Sequence, residues 1–353
     1  MNTTDTHLSH DTLAVVSQSG PTVTFFDAAT FERQEVLALP PEPHELCFDP
    51  EHRLLYAAST YLSGYYHAHR GRAHDISVID VDTREVVDVI GTAPDHAPHG
   101  LALDPARYRL YVSVEATDTE PGGVVVYDTR DRRRIGRIST MAPGPHWFAI
   151  TPDGRRGYAT NKEAPFVSVV DLEDDRLIGR IEVPGSEGLD VSPDGGYVYV
   201  AAPKGDFGPR PKARPGIRVI DTAKDEVAHV LHTDGVVFPV HTTATGLVLA
   251  GELRMATAPG GALGTHDNGV LTVFAPDTLE QIGQVKVGKF PLTVTSSPDG
   301  SLGFVANVMS STVTVVDLRE LRVVTTLEVD RAGEPGAHGL AYVPRAADGP
   351  SHP

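Results

Sequence analysis

An all-β fold, a seven-bladed β-propeller with four-stranded blades, is what this sequence predicts, and three observations carry the prediction. An apolar run ending in Asp recurs along the chain, three other strand-like runs keep a constant order around it, and the termini hold complementary parts of one repeat.

The Asp-terminated run is the clearest element. VTFFD ends at Asp27, ISVID at Asp80, VVVYD at Asp128, VSVVD at Asp171, IRVID at Asp221 and VTVVD at Asp317, while LTVFA carries Ala275 in the Asp position. The intervals run from 42 to 54 residues, so seven copies nearly fill the chain. The repeated Asp is read as a turn-former, because Asp accepts hydrogen bonds from the backbone that follows it.

Before each of these comes a run such as LLYAAS, RLYVSV, GYATN, YVYVAA, LVLAG or GFVAN, rich in the β-branched and aromatic residues that strands prefer. Earlier still stand PHELCFDP, PHGLALDP, PHWFAITPDG, SEGLDVSPDG, PLTVTSSPDG and AHGLAYVP. Their Pro-Asp-Gly makes a tight turn, Pro presetting φ and Gly accepting a positive φ. A fourth run, such as EVVDVIG, RIGRIST, LIGRIEV, QIGQVKV or VVTTLEV, completes a four-stranded unit. The chain opens on the second element, LAVVSQ, and ends on the first, HGLAYVP. N-terminal strands pairing with the C-terminal strand would therefore close the ring and complete every blade. The domain expected is residues 13–344, with disordered tails at 1–12 and 345–353.

The succession of PHG, a DP or SPDG turn, YV plus a small residue, then V-x-V-[IV]-D resembles the YVTN-type seven-bladed β-propeller repeat family over nearly the whole chain. The resemblance implies the fold and leaves function open, since that family includes surface-layer modules, binding scaffolds and enzymes.

Composition narrows the partners. With 353 residues, 47 Asp plus Glu against 30 Lys plus Arg, and a net charge of −17, the chain is long enough for a large core and poorly suited to a phosphate backbone. No nucleic-acid partner is expected. No run of 18 apolar residues occurs, so no membrane span is expected. The N-terminus shows no secretory pattern and the single Cys47 forms no internal disulfide, which sets the expected compartment as the cytoplasm.

In a propeller the innermost strands line the central channel, and the loops joining strands two and three open on the same face as their starts. Around the ring, the start of the innermost strand reads His338, His44, His99, His146 and Glu187, then Val240 and Leu292. Neutral imidazole is the commonest ligand for transition metals, so His44, His99, His146 and His338 are candidate ligands for a divalent Fe, Cu, Zn, Ni or Mn. The carotenoid-cleaving oxygenases, propellers of another family, hold iron on four such histidines. The alternative is decoration, because Pro-His-Gly commonly starts a YVTN-type repeat. Strand alternation turns His241 away from the channel unless a bulge intervenes, and puts Trp147 between blades.

Long loops mark the same face. Residues 59–75 form an expected lid carrying Tyr65, Tyr66, His67 and His69 as substrate contacts. Lys204, Arg210, Lys212 and Arg214 in blade five and Arg254 in blade six suggest attraction of an anionic small molecule, or else a solvated surface. Glu115, Lys162, Glu252 and Asn307 each follow strand two. Glu115, Lys162, Glu252 and Glu187 are assigned to acid/base work, and Lys204, Arg254 and Asn307 to substrate binding. No nucleotide or haem motif is present, nor a nucleophile elbow, His-Glu-x-x-His or Cys-x-x-Cys.

The function expected is a metal-assisted lyase, isomerase or oxidase acting on a small, anionic molecule. Lyase or isomerase chemistry stands ahead on an architectural resemblance to the streptogramin-cleaving lyases. The alternatives are a metal-free lactonase, similar in fold to the phosphogluconolactonase group, and a non-catalytic binding propeller.

Overall fold

The computed structural model describes residues 10–64, 69–206, 214–256, 265–332 and 336–346. Seven four-stranded antiparallel sheets form seven blades, each running in chain order from an innermost to an outermost strand. Blade one is the composite: Ala337–Val343 is its innermost strand, followed by Thr12–Ser17, Thr22–Asp27 and Arg33–Ala38. Thr12 pairs with Val343 and Val15 with Leu340, so the two ends of the chain close the ring. His10 and Asp11, expected in a tail, make contacts: His10 Nδ1 lies 2.8 Å from Asp27 Oδ2, and Tyr342 donates to Asp11 Oδ2 at 2.8 Å. Arg345, also expected in a tail, donates its N–H to Asp11 Oδ1 at 2.9 Å, and the expected tail residues 1–9 and 347–353 lie outside the described residues.

The repeated Asp does what its chemistry predicts. Asp27 Oδ1 accepts from the backbone of Ala29 and Thr30, Asp80 from Asp82 and Thr83, and Asp317 from Arg319 and Glu320. The turn then closes on a left-handed residue four positions after the Asp, as at Phe31, Arg84 and Leu321. In the Pro-Asp-Gly turns, Gly154, Gly195 and Gly300 have φ between +67° and +74°, where a side chain would be strained.

The second and third strands of each blade are buried, while outermost strands such as Arg33–Ala38 face solvent. Buried clusters join neighbouring blades: Val167, Val169 and Ile181 of blade four pack with Leu189, Val198 and Ile220 of blade five, and Trp147 lies against them as strand parity expects. Burial between blades fixes the ring, and the innermost strands are left to surround the axis.

Candidate functional site

The innermost strands begin with one residue per blade at the same level of the channel. Pro43–Asp49, Pro145–Ile150 and Ala337–Val343 supply His44, His146 and His338, and His99 and Glu187 stand just ahead of Leu101–Asp104 and Leu189–Val191. All five are buried. The rings form a continuous arc, with centroids 3.9 Å apart for His338 and His44, 4.2 Å for His44 and His99, and 3.6 Å for His99 and His146. Glu187 Oε2 continues the arc at 2.5 Å from His146 Nδ1.

Phe238, not Val240, holds the blade-six position in this layer. Gly188 N donates to Phe238 O at 3.1 Å, just as Gly100 N donates to His146 O at 3.0 Å. The strand Val236–Thr242 starts earlier than its sequence suggests, and a register shift between Val237 and Val240 absorbs the extra residue. Phe238, Leu292, His146, Trp147, Glu187 and His338 surround a small cavity of about 10 Å³, room for a single water or ion.

The donor set fits a transition metal. Both ring nitrogens of His99 and Nδ1 of His44 are buried without a hydrogen-bond partner, a condition that costs about 1–3 kcal/mol per group. Burial, reinforced by neighbouring imidazoles and by Lys162, pushes the pKa values of His44 and His99 well below the ordinary histidine range. Burial and Lys162, followed by His338, do the same for His146. These rings are therefore neutral and offer lone pairs. Among the described residues, His44, Glu45 and His338 form a three-donor group whose ligand atoms lie within 4.8 Å of one another.

Glu45 escaped the sequence reading. It follows His44 directly, so strand alternation assigns it to the other side, but a register shift between Pro43 and Glu45 places both beside His338. His338 Nδ1 lies 3.3 Å from Glu45 Oε1. Burial raises the Glu45 pKa, partly offset by His338.

Beside the arc lies a second buried group. Lys162 donates to Glu115 Oε1 at 2.9 Å and to the Tyr61 hydroxyl at 3.2 Å, Tyr61 donates to Glu115 Oε1 at 2.8 Å, and Arg72 donates to Glu115 Oε2 at 2.7 Å. Burial alone would raise the Glu115 pKa, but Lys162, Arg72 and Tyr61 outweigh it and hold the group at about 2. Burial, then Glu115, raises the Tyr61 pKa, so its hydroxyl keeps its proton. Tyr61, Arg72, Glu115 and Lys162 line a cavity of about 180 Å³, and the Tyr61 ring sits 6.5 Å from His44. Tyr61 and Arg72 belong to the loop read as a lid, but their role was not assigned from sequence, because nothing in the chain shows that the loop folds back onto Glu115.

The lid itself is built as a narrow antiparallel stem. Tyr61 bridges Arg72, Leu62 N donates to Gly71 O at 3.0 Å, and the His69 ring stacks on Tyr61 at 4.5 Å. Burial and Arg72 lower the His69 pKa. Tyr65, Tyr66 and His67 lie outside the described residues, as do Arg210 and Lys212.

Four other expectations take different forms. Asn307 is buried and its Nδ2 donates to Val305 O at 3.0 Å and Thr314 Oγ1 at 3.0 Å, tying strands of its own blade together instead of facing a ligand. Asn161 makes the equivalent bonds in blade four, which explains the recurrent Asn at this position. Glu252 accepts from Gly235 N at 2.8 Å and pairs with Arg254 at 3.1 Å, with Thr272 and Gln284 on its other oxygen, a network whose contacts stay within blade six. This fully buried carboxylate is committed to its blade rather than to acid/base work. Arg254 is likewise committed to Glu252, and Lys204 pairs with Glu163 at the surface.

No protein-family profile matches the chain. A protein named YncE from Salmonella typhi is 27% identical over 165 residues, covering 46% of this chain and 42% of YncE. YncE of Salmonella typhimurium strain LT2 gives the same figures, so the match spans less than half the length of these curated relatives. Among solved structures, Kuenenia stuttgartiensis hydrazine synthase superposes with a TM-score of 0.67 at 22% identity, over 85% of this chain and 90% of that one. A functionally unknown protein from Desulfotomaculum acetoxidans DSM 771 gives 0.70 at 14% identity, over 95% and 99%. These likenesses show the fold. The chain is a seven-bladed β-propeller with YncE-like relatives, and no helix among the described residues is long and apolar enough to cross a membrane.

Proposed function

We propose that this chain is a YVTN-type propeller enzyme that holds a divalent transition metal at the buried end of its channel and acts there on a small anionic molecule. The observation that carries the reading is the imidazole arc. Neutral rings stripped of water and, at His99, of any hydrogen-bond partner are costly to keep, and coordination offsets that cost. His44, His99, His146 and His338 are the proposed ligands, with Glu45 or Glu187 as the oxygen donor, and the ion would be Fe, Cu, Zn, Ni or Mn.

Bound there, such an ion supplies Lewis-acid polarisation or redox chemistry. The chain's own residues supply the rest. Glu187 orients His146, and Arg72 and Lys162, balanced by the Glu115 and Glu163 carboxylates that line the same adjoining cavity, are the cationic groups a small anion would meet there. Tyr61 and Lys162 line that cavity beside the arc and would contact a molecule bound there, the proposed basis for lyase or isomerase chemistry ahead of oxidation. With one cysteine in the chain, the cytoplasm is the proposed compartment.

Metal analysis by plasma mass spectrometry on tag-free protein tests the reading, alongside the His99→Ala, His146→Ala double variant. The expected result is near-stoichiometric metal in the wild type and less than about a tenth of that in a variant that keeps its β-sheet spectrum. No metal in the wild type, even after incubation with each of the five ions, returns the histidines to repeat decoration and favours metal-free catalysis or simple binding.

A further inference from the structure

The central channel carries a second constellation of reactive side chains that the metal reading does not use. The register shift that moves Phe238 into the upper layer also changes the facing of the residues after it, and His241 lines the channel instead of turning away. Its Nδ1 lies 2.9 Å from Asp190 Oδ2, and its Nε2 lies 2.9 Å from Ser296 Oγ. The three residues come from the innermost strands of blades five, six and seven, Leu189–Val191, Val236–Thr242 and Pro291–Ser296.

Each partner is held for this arrangement. Asp190 also accepts from Thr242 N and from Val191 N, both at 2.8 Å, which fixes its carboxylate against the ring. With Nδ1 directed at a carboxylate, the neutral ring carries its proton there and leaves Nε2 as acceptor for the serine hydroxyl. The side chain of His241 is 22% exposed and that of Asp190 30%, so both remain open to the channel. The channel cavity, about 330 Å³, is lined by His241 and Asp190 together with polar residues such as Glu45 and Thr295 and apolar ones such as Leu46, Leu103, Leu189 and Leu340, and the half-buried Ser296 adjoins it through His241. Thr293 lines it as well, and its hydroxyl is buried without a hydrogen-bond partner. A cavity of this size with convergent polar groups among apolar walls suits a small molecule.

We propose that Asp190, His241 and Ser296 form a nucleophilic relay that takes a small ester in acyl transfer. Ser296 Oγ attacks the acyl carbon and its proton passes to His241 Nε2, which returns it to the departing alcohol. Water then adds to the acyl-serine, giving its proton to the same nitrogen, and Ser296 is restored as the carboxylic acid leaves. Asp190 is the positioning residue, holding the ring in the tautomer that accepts from serine.

A fluorophosphonate probe applied to the full chain, with labelled peptides mapped by mass spectrometry and p-nitrophenyl butyrate hydrolysis read in parallel, tests the proposal. Labelling is expected at Ser296, absent in Ser296→Ala and lowered about 100-fold or more in rate in His241→Ala. Asp190→Asn should slow labelling and ester turnover together while Ser296→Ala abolishes both. Labelling of the wild type should proceed at the same rate with and without a metal chelator, which separates this site from the metal reading. Failure to label Ser296 in a folded protein, or equal labelling rates with and without the His241 imidazole, overturns the proposal. If His241→Ala does not fold, His241→Asn supplies the same comparison.

Discussion

Two groups of imidazoles share one channel and are treated differently. His44, His99 and His146 are almost completely buried, packed ring against ring, and their pKa values are driven down chiefly by loss of water. His241 is partly open to the channel and both of its nitrogens face an oxygen about 2.9 Å away. The contrast teaches that hydrogen-bond partners, and not burial alone, decide whether a histidine is a ligand or a proton carrier. In the upper group Glu45 faces His338 and Glu187 faces His146, while both nitrogens of His99 and Nδ1 of His44 are buried without a hydrogen-bond partner. His241 has a partner on each side.

Disturbing the charge that supports the upper group should have the largest effect. Glu115→Ala leaves the Lys162 ammonium buried without its carboxylate, and a loss of about 3–5 kcal/mol in urea unfolding is expected. The same carboxylate predicts a pH signature. Its folded pKa lies near 2, below the ordinary value of 4.5, so its contribution is complete above pH 4.5 and fades as pH falls towards 2. The stability gap between wild type and Glu115→Gln, measured at pH 7, 4.5 and 3, should therefore hold at the first two and narrow at the third. An unchanged gap at pH 3 would remove the ion pair as its source.

Next in size is the response to metal. An ion at 100 times its Kd should stabilise the wild type by about 2.7 kcal/mol. Thermal unfolding with and without the ion should show this shift in wild type and in His241→Ala, and none in the His99→Ala, His146→Ala variant. A shift that survives loss of both upper histidines would erase the distinction between the two ends of the channel.

The smallest effect belongs to the lower group. Ser296→Ala removes one part-exposed hydrogen bond and should cost only about 0.5–1.5 kcal/mol in the same urea experiment. A much larger loss would mark the Asp190, His241 and Ser296 contacts as a structural brace rather than a reactive relay.

Much of the upper group was legible because a propeller repeats. Each His at the start of an innermost strand, after Pro in three blades and after Ala337 in the fourth, occupies a fixed place in its blade, so neighbouring blades must bring His338, His44, His99 and His146 to one level. Glu115 and Lys162 were found by the same logic from the ends of second strands, and they meet across blades at 2.9 Å. Asn307 satisfied that rule as well and serves its own blade, since position after strand two does not reveal where a side chain's partners are.

The alternation of apolar residues, the turn-forming Asp and the division of one blade between the termini determined the ring from sequence alone, because strand period and turn chemistry are local properties. Only the tertiary structure decided which side chains face the axis near its upper end. Register shifts after Pro43 and Val237 bring Glu45 to His338 and His241 to Asp190, and a shift is a property of two paired strands, invisible in either one. Likewise Tyr61 and Arg72 reach Glu115 only because the loop folds back between blades, bringing together residues 54 and 43 positions apart in the chain.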